Sequence, residues 1–289
     1  MATLLDRIRR KIRRLAALPR SAVVYSSDGR RPSGGPPIFI VGCMRSGTTL
    51  MRQVLDSHSR IACPGETWFL IGLLEQLRNG FFVKGLEALG VYREEAVANI
   101  RAFVLNYFER FLYREGKARW ADKTPGYVEF CPEILEVLGD VRFVFLLRHG
   151  MDVANSMQDR PWFGLIEPEG PPDPVRRLEA AARWWIKAND SFEAFRSKHP
   201  SLCHVVRYED LTTKPEPVIR GVLEFLGEPW EPAILNYQAF PHSGGGDHDT
   251  ATRDRIAPNS GNYRTWPAEH QRVIGELLAP HLKRYGYTP

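Results

Sequence analysis

Two groups of residues in this chain have the types and spacing of a site that handles anions. The first is Gly42-Cys-Met-Arg-Ser-Gly-Thr-Thr49, where two glycines bracket Arg45 and Ser46 and two hydroxyls close the run. It follows the apolar Ile38-Phe-Ile-Val41 and precedes the amphipathic Leu50-Met-Arg-Gln-Val-Leu55, so it reads as strand, loop and helix. Glycines let such a loop turn its amide N–H groups toward one point at the positive end of the helix, which makes a cradle for phosphate. Ser46, Gly47, Thr48, Thr49 and Leu50 would supply amides and hydroxyls, and Arg45 a planar cation. The second group is Arg148 and Ser156, in Arg148-His-Gly-Met-Asp-Val-Ala-Asn-Ser156, directly after the apolar run at 141–147. An arginine fork with a hydroxyl suits a second phosphate.

The same residues argue against triphosphate chemistry. Thr48 stands where a nucleoside triphosphatase loop carries lysine, and the run at 141–147 ends in Arg148-His149 rather than in an acid that would hold Mg²⁺. A nucleotide kinase remains the alternative enzyme, and it would need both missing parts.

Taken together, Arg45-Ser-Gly-Thr-Thr-Leu50 and the Arg148…Ser156 segment resemble the two nucleotide motifs of sulfotransferases that use 3′-phosphoadenosine 5′-phosphosulfate (PAPS). The resemblance runs from about Ile38 to Trp266, through Arg207-Tyr-Glu-Asp-Leu211 and the glycine- and arginine-containing region at 255–266. It implies an α/β fold of the P-loop-like, three-layer kind, a central parallel sheet flanked by helices. It also implies PAPS as sulfuryl donor, 3′-phosphoadenosine 5′-phosphate (PAP) as product, no metal, and a hydroxyl acceptor: a peptide tyrosine, a small molecule or a carbohydrate. Arg45 to Leu50 would hold the 5′-phosphosulfate, and Arg148 and Ser156 the 3′-phosphate. Tyr208 would lie near the adenine, with Arg255 and Arg264 folding over the 3′-phosphate.

The Cys63–Thr67 segment resembles the CGEET segment of tyrosylprotein sulfotransferases, which places Glu66 where their catalytic glutamate stands. Pro-Gly replaces Gly-Glu there, a departure that touches the acceptor side. By the same resemblance Lys123 and Ser260 are catalytic donors to the leaving phosphate, beside Arg45. Many sulfotransferases use a histidine base instead, so His58 and His149 stay open as the base. Trp68, Trp162, Phe163, Trp184 and Trp185 are candidates for an acceptor cleft. A non-catalytic module that binds PAP is the second alternative.

These groups must be positioned by a core, and the chain can build one. Of its 289 residues 43% are hydrophobic and 25% charged, with a net charge of +5, a balance that suits a globular protein with an anionic ligand. Strand-like runs at 38–41, 141–147 and 204–208 alternate with helical patterns near 48–58, 93–114, 132–138, 151–157, 175–198, 215–227 and 267–285. Continuous apolar strands between helices predict a parallel sheet covered on both faces. Two long irregular stretches, at 158–174 and 240–262, read as lids.

Residues 1–36 form a separate unit, a basic amphipathic helix with Leu5, Ile8, Ile12 and Leu15 on one face, followed by a linker; residues 37–289 form the sulfotransferase domain. The helix suits peripheral contact with an anionic membrane, and equally docking on a partner or on the protein's own core. Outside it no basic patch is interleaved with aromatics, which excludes a nucleic-acid binder. Cys43, Cys63, Cys131 and Cys203 are far apart, forming neither a zinc set nor a disulfide framework, and this points to a reducing, cytoplasmic setting.

Overall fold

The computed structural model of the chain describes residues 34–158, 160, 173–242 and 256–288. The N-terminal helix and its membrane contact, Arg255, Trp162, Phe163 and most of both long irregular stretches lie outside the described residues.

Five strands form one parallel sheet: β1 (Ile38–Gly42), β2 (Ile61–Ala62), β3 (Arg119–Lys123), β4 (Arg142–Leu147) and β5 (Cys203–Arg207), in the order β2-β3-β1-β4-β5. The helices are α1 (Thr48–Asp56), α2 (Phe69–Arg78), α3 (Gly80–Glu87), α4 (Arg93–Glu115), α5 (Cys131–Leu138), α6 (Gly150–Met157), α7 (Pro174–Arg196), α8 (Tyr208–Thr213), α9 (Pro215–Leu226) and α10 (Ala268–Arg284). No helix among the described residues is long and apolar enough to cross a membrane.

The two faces of the sheet follow from the alternation of side chains along each strand. Phe39, Val41, Phe143 and Phe145 point to one face, where they pack with Val153 of α6 and with Trp185 and Phe192 of α7. Phe145 stacks on Phe192 with ring centres 3.9 Å apart. Ile38, Ile40, Val144 and Leu146 point to the other face, against Met51 and Val54 of α1 and Ile219 and Val222 of α9. Both sets are buried, and each such side chain stabilises the fold by about 1.5–3 kcal/mol. Helices on both faces of a parallel sheet are the three-layer arrangement expected from the sequence.

Strand β3 has no apolar run to announce it, since its sequence is Arg-Trp-Ala-Asp-Lys, yet all five residues are buried. Each polar member has a partner. Arg119 pairs with Glu228 at 3.1 Å and donates to the backbone oxygens of Pro36 and Leu226 at 2.5 and 2.6 Å. Trp120 stacks on Phe108 of α4 at 3.8 Å. Asp122 accepts hydrogen bonds from Thr67 at 2.6 Å and Thr124 at 3.2 Å.

Burial pushes the Asp122 carboxyl up to about 7, against the opposing pull of the Thr67 and Thr124 hydroxyls and Lys123. A carboxyl raised in the folded state holds its proton more tightly there than in the unfolded chain. Its contribution to stability is therefore complete below the ordinary carboxylate range, near 4, and is lost as pH rises toward about 7. Asp122→Asn, which keeps the shape and an acceptor oxygen, should flatten that part of the pH dependence. Urea midpoints measured between pH 5 and 8 should fall with rising pH more steeply for the wild type than for the variant. Parallel curves would contradict this account of Asp122.

Candidate active site

In a parallel sheet all strands end at the same edge, and a crevice opens there where the strand order switches direction. Here the switch falls at β1. That edge gathers the loop after Gly42, Lys123 at the end of β3, Arg148 after β4 and Tyr208 after β5.

The loop between β1 and α1 is tightly constrained. Gly42 has φ of 150° and runs so close to β4 that a Cβ would stand 2.6 Å from the Leu146 carbonyl oxygen. Gly47 has φ of 96°, and its Cβ would meet the Tyr208 ring at 2.4 Å, so Tyr208 packs on the loop itself. Arg45 takes a left-handed φ of 71°, uncommon for a residue with a side chain. Helix α1 starts at Gly47 with no side-chain cap and no acid in its first turn, so its first amides and its positive end face the crevice unshielded.

The Arg148 motif is locked to this loop. Arg148 Nη1 donates to the Arg45 carbonyl oxygen at 2.9 Å, Nη2 donates to Asn259 O, and the guanidinium lies 4.5 Å over the Tyr208 ring. Behind it, the fully buried Trp185 donates from Nε1 to Arg148 O at 3.0 Å, which makes Trp185 a core support rather than part of an acceptor cleft. Ser156 Oγ accepts from Arg45 Nε at 3.0 Å, so the two motifs meet directly.

One cavity of about 240 Å³ is lined by Arg45, Gly47, Thr48, Thr49 and Leu50 from the loop and α1, by Arg148 and Ser156, and by Tyr208. Two buried polar atoms of these motifs, Ser46 Oγ and Arg148 Nε, have no hydrogen-bond partner among the described residues. An unpaired buried donor costs about 1–3 kcal/mol, and an anion in the cradle would satisfy such groups. With the uncapped helix start and the arginines, the residues present fit a ligand carrying phosphate at two points.

Glu66 and Lys123 sit beside this cavity rather than in its lining. Lys123, with its side chain only 4% exposed, donates to Thr49 Oγ1 at 3.3 Å and forms an ion pair with Glu66 Oε1. Thr49 lines the cavity, so Lys123 links the phosphate loop to the glutamate. Glu66 Oε2 accepts from Trp68 Nε1 at 3.0 Å, and Trp68 is 46% exposed.

Both histidines left open as the base have their ring nitrogens engaged in the fold. His58 is fully buried; Nδ1 accepts from Arg60 N at 3.1 Å, which leaves Nε2–H to donate to Pro229 O at 2.9 Å. In His149, Nδ1 caps α6 by accepting from Met151 N at 3.3 Å and Nε2 faces Thr288 O at 2.8 Å, while the ring stacks on Tyr263 at 5.0 Å. Both rings are structural.

Two expected residues stand apart. Ser260 and Arg264 are exposed and line no part of the cavity; the Arg264 guanidinium lies 5.9 Å from the Tyr263 ring instead. Their neighbours do enter it. Asp152 accepts from Gly261 N at 2.8 Å and Asn262 N at 2.9 Å, and Asn155 Oδ1 accepts from Trp266 Nε1 at 2.7 Å. These bonds pin the 259–266 segment across the Arg148 motif, and Asp152, Asn155, Asn259 and Asn262 line the cavity. Sequence reasoning passed over Asp152 and Asn155. Their signal was the helical i, i+3, i+4 spacing with Ser156, which puts all three on one side of α6.

A parallel α/β sheet with a phosphate cradle at its switch point defines the P-loop-like class, and the chain matches a sequence model of the Sulfotransferase family over residues 36–232. It belongs to that family. Among curated relatives it is 29% identical over 268 residues to a protein-tyrosine sulfotransferase of Drosophila melanogaster, an alignment covering 88% of this chain and 52% of that protein. It is 28% identical over 267 residues to protein-tyrosine sulfotransferase 1 of Danio rerio, covering 88% of this chain and 73% of that one. The chain thus spans about half the length of the Drosophila relative. Among solved structures the sulfotransferase domain from the curacin biosynthetic pathway superimposes with a TM-score of 0.59 at 23% identity, over 85% of this chain and 98% of that one. That likeness concerns the fold.

Proposed function

We propose that this protein transfers a sulfuryl group from PAPS to a hydroxyl-bearing acceptor. The observation that carries the reading is the direct bond between Arg45 and Ser156, which joins two phosphate-binding motifs in one cavity. PAPS carries a phosphate at each end of its ribose, and when bound it supplies the sulfuryl group and a stable leaving phosphate.

Each residue then has a definite task. The amides at the start of α1, with Arg45, Thr48 and Thr49, bind the 5′ end. Arg148 and Ser156 bind the 3′-phosphate, and Tyr208 braces both the loop and the Arg148 guanidinium. Lys123 offsets charge that grows on the leaving phosphate oxygen, and Glu66 accepts the acceptor's proton at a carboxylate oxygen. The order of these tasks matches the path of bonds from Arg148 through the loop and Thr49 to Lys123 and Glu66. Ser260 and Arg264, exposed and not in the cavity lining, take no task in this scheme.

The named activity of the protein-tyrosine sulfotransferase relatives makes a tyrosine phenol one candidate. The nucleotide part of the reading is tested by thermal unfolding. PAP without Mg²⁺ should raise Tm, since a ligand at one hundred times its Kd adds about 2.7 kcal/mol to the folded state. ATP with Mg²⁺ should raise it far less. The reverse order would favour a nucleotide kinase.

A further inference from the structure

Trp68 adopts a left-handed backbone conformation, φ 56° and ψ −23°, at the residue that starts α2. A bulky side chain rarely accepts that region, and here no burial accounts for it, because the indole is 46% exposed. The turn does achieve one thing: it carries Nε1 to 3.0 Å from Glu66 Oε2.

The turn is held from behind. Thr67 N donates to Thr124 Oγ1 at 3.1 Å, Thr67 Oγ1 donates to Asp122 Oδ2 at 2.6 Å, and Phe69 N donates to Thr67 O at 2.6 Å. The indole lies over Gly126, where a Cβ would stand 3.4 Å from Trp68 Cζ3.

Glu66 is therefore tethered at both oxygens, and the tethers differ in kind. The Lys123 ammonium on Oε1 is shared with Thr49 of the phosphate loop, so an anion on that loop competes for it. The Trp68 N–H on Oε2 is neutral and makes no bond to the phosphate loop. We infer that Trp68 is the positioning residue of the base: its indole N–H keeps the Glu66 carboxylate in place when Lys123 turns to the leaving phosphate, leaving Oε1 open to the acceptor's proton. This rests on Glu66 being the base. Trp68 itself touches no reacting atom in this scheme.

The test combines kinetics with the indole N–H resonance of Trp68, identified in ¹⁵N–¹H spectra as the one missing from Trp68→Phe. In the wild type the resonance should keep its hydrogen-bonded position when PAP is added, and it should shift in Glu66→Gln. Trp68→Phe, which keeps an aromatic ring but removes the donor, should lower kcat about tenfold, as expected for loss of one hydrogen bond to a charged group. KM for PAPS and Kd for PAP should stay within about twofold, because the donor site is untouched. A resonance that Glu66→Gln leaves unmoved, or a Trp68→Phe variant with unchanged kcat, would overturn the role of Trp68 while leaving Glu66 as base. Full turnover in Glu66→Gln would remove the base assignment itself, and this inference with it.

Discussion

Glu66→Gln should lower kcat by about 10²–10⁴-fold, the usual worth of a general base. Glutamine keeps the shape of the side chain and an oxygen that can accept from Trp68 Nε1, but it accepts no proton at working pH. The ion pair adds a second consequence. Lys123 is bonded to Glu66 as well as to Thr49, so neutralising Glu66 releases an ammonium toward the phosphate loop. PAP should then bind at least as tightly to the variant as to the wild type. A loss of turnover with undiminished PAP affinity is the combined signature, read by steady-state kinetics beside isothermal titration. Near-normal turnover with PAP bound would sink Glu66 as the base, and His58 and His149 offer no replacement while both ring nitrogens of each are engaged in the fold.

Arg148→Ala should weaken PAP binding by about tenfold to a hundredfold, since each hydrogen bond to a charged group contributes about 1.5–3 kcal/mol. The arginine also braces the fold through Arg45 O and Asn259 O, so a general loss of affinity would be ambiguous. The discriminating comparison is PAP against adenosine 5′-phosphate, which lacks the 3′-phosphate. Wild-type protein should prefer PAP strongly, and Arg148→Ala should lose that preference rather than weaken both ligands equally. An unchanged preference would place the 3′-phosphate elsewhere.

Much of this arrangement was legible from residue types and spacing. The Gly42–Thr49 loop and the Arg148–Ser156 segment follow apolar strands, and the apolar period marked α1, α4, α5, α6, α7, α9 and α10 within a few residues. Burial of a strand on both faces leaves an apolar run that the order of residues reveals. Strand β3 left none, because Arg119, Asp122 and Lys123 look like solvated residues until Glu228, Thr67 and Thr49 are brought to them from distant parts of the chain. Helix α3 was missed for the opposite reason: none of its residues is buried, so no face is marked.

The site shows the same division. Loop residues and the two arginines, Arg45 and Arg148, were readable because a local motif specifies them. The surroundings of the two histidines were not, since they turn on where each ring's nitrogens find partners. For His58 and His149 those are Pro229 and Thr288, which no local pattern connects to them. Ser260 was expected at the leaving group from a loose alignment of a glycine-rich stretch. The backbone of that stretch, fixed by Asp152, brings its neighbours Asn259 and Asn262 to the cavity and leaves Ser260 outside.

The central claim is sulfuryl transfer, and mass spectrometry of acceptors incubated with PAPS tests it most directly. Tyrosine-containing peptides, phenols, aliphatic alcohols and carbohydrates should be incubated with the full chain and PAPS, with a chelator present, and PAP quantified in parallel. The account predicts a gain of one sulfuryl group on a hydroxyl of at least one acceptor class, matched by an equal amount of PAP, and lost in Glu66→Gln. Tight PAP binding with no transfer to any acceptor class would contradict it, and would leave a nucleotide-binding module in place of an enzyme.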